Sequence, residues 1–226
     1  MPLIQMNPSI GSRYYLNELK PHYKYASVTS ILEATQTENQ KKSIAMWRKK
    51  IRKEGGNPKE ELDKAAKRGT DIHNFTELFL QGEKPPIPKE YENWCDYVIK
   101  SPIWQYVDEI VCTERKVFSD QGLHPFAGTF DALLKINGEL VLFDLKTKGA
   151  DKGTPMKSIC NEALCQMQAY RLCLKENYDI DVTRFIALYV FPDQPTYPIY
   201  ASGPSLKQHE EHWEKRLKTY VEQKNG

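Results

Sequence analysis

Asp131, in Gly128-Thr-Phe-Asp131, and the pair in Asp144-Leu-Lys146 have the residue types and spacing for metal-assisted chemistry. Phe126 to Ile136 and Glu139 to Thr147 are rich in Val, Leu, Ile and Phe, and Asn137-Gly138 between them is the favoured pair for a type I′ hairpin turn. A two-residue loop fixes register. Ile136 then faces Glu139, and counting back places Asp131 opposite Asp144, with both side chains and that of Lys146 on one face because strand side chains alternate. The same register gathers Phe130, Ala132, Leu134 and Ile136 against Val141, Phe143 and Leu145 on the other face, an apolar surface for a core. Directly opposed carboxylates repel, and with Cβ atoms roughly 4.5–5.5 Å apart they can share one hard cation. Mg²⁺, with oxygen ligands at about 2.0–2.1 Å, suits such a pair. A divalent cation beside a fixed ammonium is equipment for phosphodiester hydrolysis, so the hairpin reads as that of a metal-dependent nuclease. The competing reading is a surface hairpin with solvated charges.

Other residues could complete such a site. His73 stands beside an apolar helical stripe, four residues after Gly69, and imidazole is a suitable further ligand for Mn²⁺. A histidine in that setting is more often a packed core residue. Gly69 tempers this, because a mid-helix glycine costs about 1 kcal/mol against alanine and often marks close backbone approach. Glu114 lies on a strand preceding the hairpin and alternates with Cys112 and Lys116; a surface glutamate explains it almost equally well. If it points inward, a second metal ion becomes an option. Gln166 and Tyr170, four apart on a helix, share a face. Lys41, Lys42, Arg48, Lys49, Lys50, Arg52 and Lys53 crowd a short helix around Trp47, a basic stripe with one aromatic that could follow a phosphate backbone or simply be a solvated face.

The elements that must position these residues follow from periodicity and caps. Residues 1 to about 26 lack helical periodicity and suit an arm or short hairpin; Ser27-Val-Thr29 starts a helix. The basic helix runs from about Glu38 to Lys53. Asn57, Pro58 and Glu60 supply a cap, a first-turn proline and a capping-box acid for a helix to about Gln81, whose stripe is Leu62, Ala65, Ala66, Gly69, Ile72, Phe79 and Leu80. A proline-rich link, Pro85 to Pro88, precedes a helix carrying Trp94. A strand runs from Ile110 to Phe118, then the hairpin, a helix over 158–177, a strand over 184–191, and a helix over 205–223 opened by Ser205 and Gln208 in a capping-box relation. This order predicts a mixed α/β layer architecture. The expected organisation is a single domain over 1–226: a mostly helical part to 105 with a short N-terminal arm, then a sheet-containing catalytic core from 106.

The chain has 226 residues, enough for one domain with a sizeable core, and its formal net charge of +2 neither demands nor excludes a nucleic-acid partner. The five cysteines, Cys95, Cys112, Cys160, Cys165 and Cys173, are odd in number and irregularly spaced, so no disulfide framework is implied. Without a Cys-x-x-Cys, an iron–sulfur cluster is not expected. There is no apolar run long enough for a membrane span and no signal-peptide core, so a soluble, intracellular protein without membrane partners is expected.

Taken together, Asp131, Asp144-Leu-Lys146, the upstream Arg68-Gly69-Thr-Asp-Ile-His73 and the downstream Gln166-Met-Gln-Ala-Tyr170 resemble the RecB-like branch of the PD-(D/E)xK nuclease superfamily. Tyr25-Ala-Ser-Val-Thr-Ser-Ile-Leu32, the Trp47 region and Asp144-Leu-Lys-Thr147 look most like the mitochondrial genome maintenance exonuclease and small phage exonucleases. The resemblance covers residues 25 to 223. It implies a restriction-endonuclease-like core, a mixed central sheet flanked by helices. It assigns Asp131 and Asp144 as metal ligands, His73 as a histidine ligand, Lys146 as the catalytic lysine, and Gln166 and Tyr170 as residues orienting that lysine or the scissile strand. Glu114 matches an acidic ligand position less closely. Arg68 and Thr147, within the same motifs, join Trp47, Arg48, Lys49 and Arg52 as expected nucleic-acid contacts. Implied cofactors are one or two Mg²⁺ or Mn²⁺ ions, and the implied partner is DNA, single-stranded or with frayed or flapped ends, in replication, recombination or repair, with a phage source favoured. An endonuclease of the same superfamily, and a non-catalytic DNA-binding or assembly module, are the alternatives.

Overall fold

The computed structural model describes residues 3–6, 13–18, 20–149 and 157–225. The turn chemistry of the hairpin acts as the sequence predicts: β5 (Phe126–Ile136) and β6 (Glu139–Thr147) pair antiparallel with Ile136 facing Glu139, and Asn137 and Gly138 have φ of 50° and 79°. Positive φ at both central residues is the type I′ requirement, met here by Asn and Gly because they pay little for it. β4 (Val107–Ser119), three residues longer at its start than expected, pairs antiparallel along one edge of β5.

The other edge of β5 is shared. At its beginning, Phe126 and Ala127 pair in parallel with Ala26 and Ser27 of β3 (Lys20–Ser27); at its end, Ala132 to Ile136 pair with β6. Between these two partners, Gly128 to Asp131 have no ladder partner on that edge, so the sheet forks. Beyond β3 the sheet continues through β2 (Tyr14–Asn17) to β1 (Leu3–Met6), and beyond β6 through parallel β7 (Arg184–Val190) to antiparallel β8 (Tyr197–Ser202). The result is an eight-stranded mixed sheet. The segment expected as an arm or short hairpin does form antiparallel strand pairs, and these extend the sheet two strands outward from β3.

Among the described residues six α-helices flank the sheet, all but α2 contributing to a core on it: α1 (Val28–Ala34), α2 (Glu38–Lys53), α3 (Pro58–Leu80), α4 (Glu92–Ile99), α5 (Lys157–Tyr178) and α6 (Pro204–Asn225). One core joins α1, α5 and α6 to one face through Ile31, Met167, Trp213 and Phe185. A second joins α3 and α4 to the other face through Ile72, Phe75, Cys95 and Leu188. The expected stripe of α3 reaches the core only from Ile72 onward, and Leu62 is exposed, because the first turns run past the sheet edge. α2 has no buried residue at all; only Ile44, Trp47 and Ile51 of its stripe are half-buried. Two caps differ from expectation. Asn57 caps α3 but the Glu60 carboxylate meets its side-chain amide, 3.0 Å away, rather than its backbone. α6 begins one residue early, at Pro204, so Ser205 bonds back to Ser202 at 2.8 Å and no longer sits at the cap. Among the described residues no helix is long and apolar enough to cross a membrane.

Phe130 departs from its expected face. It packs with the α5 side, 6.4 Å from the Tyr170 ring, whereas Ala132 and Leu134 pack with the α3 side. The alternation therefore slips at Asp131, where the ladders on both edges are interrupted. Directly across β4 stands Glu114 with φ of 47°, a left-handed conformation unusual for a glutamate within a strand. Gly128 allows the close approach of α5: a Cβ there would overlap the edge of the buried Tyr170 ring and lie 3.0 Å from its hydroxyl. Gly128→Ala is expected to cost about 1–3 kcal/mol by overpacking, read as a lowered urea midpoint with an unchanged slope.

Candidate functional site

The fork opens into a cavity of about 550 Å³ lined by Asp131, Asp144, Lys146, His73, Glu114, Gln166 and Tyr170 among others. Seven sequence-predicted residues therefore meet in one place, brought from five elements: His73 from α3, Glu114 from β4, Asp131 from β5, Asp144 and Lys146 from β6, and Gln166 and Tyr170 from α5.

Asp131 occupies the gap left by the forked edge. Its Oδ2 accepts the backbone N–H of Leu145 at 2.6 Å, replacing the carbonyl that a continuous ladder would offer, and lies 3.4 Å from His73 Nδ1. Ligand atoms of His73, Glu114 and Asp131 all fall within 4.8 Å of one another. Asp144 is turned the other way. Lys146 Nζ donates to its Oδ1 at 2.9 Å and is 2.7 Å from its Oδ2, then reaches Gln166 Oε1 at 3.1 Å; Gln166 Nε2 in turn donates to the Tyr170 hydroxyl at 2.8 Å. The four-residue spacing of Gln166 and Tyr170 thus makes a chain that fixes the lysine. The flat arrangement expected from the hairpin alone, with Asp131, Asp144 and Lys146 side by side, is replaced by divergence: Asp131 leans to α3, while Asp144 and Lys146 face α5. The slip of alternation at Asp131 is the reason.

The charges depend on one another. Burial disfavours the His73 imidazolium, but the Asp131 carboxylate outweighs it and raises the pKa to about 9. Burial also opposes the Asp131 carboxylate, and His73 more than offsets that, holding its pKa below the ordinary value. Glu114 is raised to about 7, first by burial and then by repulsion from Asp131. Asp144 is raised by burial, which Lys146 opposes and Asp131 reinforces. Lys146 is raised despite burial, because Asp144 and Asp131 stabilise its ammonium.

This donor set fits a divalent cation. One imidazole and two carboxylates converge, and Glu114 and Asp131 repel in the absence of a positive charge between them. On the far side Asp144 Oδ2, buried, accepts no directed hydrogen bond among the described residues. Hard oxygens with a nitrogen suit Mg²⁺ or Mn²⁺ better than a thiophilic metal. Cys165 and Cys173 are buried in the core on α5, away from the cavity lining; the Cys160 side chain lies outside the described residues.

The expected nucleic-acid contacts are not in the cavity. Trp47, Arg48, Lys49 and Arg52 lie on α2, with the three cationic side chains exposed. Arg68 stacks over the Trp94 ring at 5.6 Å, its buried Nε without a hydrogen-bond partner among the described residues, and Thr147 lies against Gly69, which itself lines the cavity. Arg13 and Lys116 do line the cavity and have no expected role from the sequence; Tyr15, which the sequence offers with Tyr14 as an aromatic able to stack bases, lines it too. No spacing points to them, because β1 to β3 join the fork only through long-range pairing.

No family model matches the chain, and no curated protein matches it. Two similar solved structures are SSO0001, with 19% identity over 47% of this chain and 50% of that one at a TM-score of 0.34, and a "putative exonuclease" from Eubacterium rectale, with 11% identity over 69% and 66% at 0.47. The chain thus spans half of the first protein and slightly under two thirds of the second. At these TM-scores neither likeness bears on activity.

The His73–Asp131 pairing has a measurable sign. A raised imidazole pKa contributes stability that is fully present below about pH 6.5, the value of free histidine, and lost as pH rises through about 9. In metal-free protein the His73 ring resonances are expected to titrate near 9. In Asp131→Asn burial is left with a weaker counterweight, and the midpoint should drop back toward about 6.5 by NMR.

Proposed function

We propose that the chain, a single nuclease domain over residues 1–226, is a metal-dependent DNA exonuclease that hydrolyses phosphodiester bonds in single-stranded DNA or at frayed and flapped ends, in replication, recombination or repair. One observation carries this reading: a convergent His73–Glu114–Asp131 donor set and a hydrogen-bonded Lys146 face the same fork in the sheet.

His73, Glu114 and Asp131 would hold the cation, with Asp144 as a further donor. A bound Mg²⁺ or Mn²⁺ supplies charge neutralisation at the phosphoryl oxygens and acidifies water. The chain's own residues do the rest. Lys146, kept protonated by Asp144, presents a fixed positive charge where negative charge grows on the phosphoryl group, and a preorganised charge in a partly dry site is worth more than in water. Gln166 and Tyr170 restrict the direction of that ammonium. Asp131, bonded to the Leu145 N–H, cannot swing away from His73 without leaving a backbone donor unpaired. Outside the cavity, the exposed cationic face of α2, with Arg48, Lys49 and Arg52, follows the phosphate backbone of the incoming strand, and Trp47, Arg68 and Thr147 add contacts.

Linear single-stranded DNA is expected to be degraded with Mg²⁺ or Mn²⁺ while a covalently closed circle survives. Asp144→Ala and Lys146→Ala should each slow the reaction by about 100-fold or more. Cleavage of the circle would make the protein an endonuclease, and binding without cleavage of either substrate would make it a DNA-binding module.

A further inference from the structure

The side of the cavity opposite α3 carries two cations that the proposed reaction leaves unused. Arg13, immediately before β2, and Lys116 on β4 both line it and are both exposed. Among the described residues neither forms an ion pair, whereas Lys20 and Lys67, elsewhere on the surface, lie 2.6 and 2.7 Å from Asp120 and Asp71.

Their placement follows the ladder. Lys116 lies two residues beyond Glu114 on β4, about 6.8 Å of extended strand. Across the ladder it pairs with Thr129, two residues before Asp131 on β5. The carboxylate row and the Lys116–Thr129 row are therefore successive along one groove, a separation comparable to the step between phosphates of an extended nucleic-acid strand. Arg13 lines the cavity near Tyr15, whose phenolate its guanidinium favours; the Tyr15 hydroxyl lies 3.2 Å from Thr129 Oγ1 and donates to Gln5 at 2.9 Å. One row thus offers anionic and imidazole donors for a cation, and the next offers two positive charges without an ion-pair partner among the described residues, with a hydroxyl nearby. An anion is favoured at the second row for the same reason that a cation is favoured at the first.

We propose that Arg13 and Lys116 hold the phosphate next to the one cleaved. They are positioning residues: by seating that phosphate they determine which phosphodiester bond enters the carboxylate row. This rests on the nuclease reading above. The phosphate could be an internal one or the terminal phosphate of a processed end, since the chemistry that binds them is shared.

The test is binding of a fluorescent single-stranded oligonucleotide to the full chain in EDTA, by anisotropy across a salt series, for wild type, Arg13→Gln, Lys116→Gln and the double variant. A phosphate contact predicts a slope of log affinity against log salt that becomes shallower by roughly 0.7 per charge removed. Affinity should fall about 10-fold at low salt in the double variant. Arg13→Lys and Lys116→Arg should restore the slope, which a merely structural role would not require. Retained Mn²⁺ binding and an unchanged urea midpoint would verify that the variants are folded. A loss confined to 5′- or 3′-phosphorylated oligonucleotides would assign the row to a terminal phosphate, and a loss with unphosphorylated ends to an internal one; both support the proposal. Wild-type slope in the double variant, with wild-type cleavage intact, would overturn this proposal alone. Absence of both binding and cleavage by the wild type would overturn it together with the nuclease reading.

Discussion

A β-strand has only two edges, and β5 is asked to serve three partners. β4 runs along one edge from Phe126 to Ile136, so β3 and β6 must divide the other, and the residues between them cannot be paired by either. Everything distinctive about the site follows from that shortage. Backbone groups in the gap need partners, and the Asp131 carboxylate supplies one by accepting from Leu145. The two diverging strands become walls, and α3 and α5, packed on opposite faces of the sheet, close the space from either side. Side chains that a continuous sheet would have kept apart on its two faces can then meet.

The same opening sets the electrostatics. Glu114, Asp131 and Asp144 are drawn into a partly dry space in which His73 and Lys146 are the cations beside them, Arg13 and Lys116 lining its exposed part. Burial disfavours each charge separately, so charges survive only as pairs: Asp131 with His73, Asp144 with Lys146. Glu114 is the carboxylate left over, and its raised pKa is the mark of that imbalance. The left-handed backbone at Glu114 belongs to the same account, since it occurs across from the interrupted row, where the ladder would otherwise hold the strand extended.

Much of this was legible in the sequence, for identifiable reasons. Asn137-Gly138 specified the turn, and the turn specified a register that the ladder keeps from Ile136 and Glu139 as far as Ala132 and Phe143. The i, i+4 spacing of Gln166 and Tyr170 placed them on one face of α5. What could not be read was the fork, because the pairing of β3 with β5 joins segments about a hundred residues apart and involves only two residue pairs. Strict alternation therefore put Phe130 on the wrong face and Asp131 flush with Lys146. For the same reason the segment before Ser27 read as an arm or short hairpin, without its junction to β5, and the place of Arg13 beside the cavity was invisible. On α3, periodicity alone extended the apolar stripe back to Leu62, where there is no sheet to cover it.

The two-pair seam between β3 and β5 has a mechanical meaning. Backbone bonding there is too sparse to fix the angle at which β1, β2 and β3 stand against the rest of the sheet. That angle is set by a small separate core, Tyr15, Tyr25, Phe118 and Ala127, in which the Tyr25 and Phe118 rings meet edge to face at 5.6 Å. The width of the groove between the two rows is thus governed by aromatic packing behind it, and the reach of the cavity for a polymer is tuned by a core of which Tyr15 alone also lines the cavity.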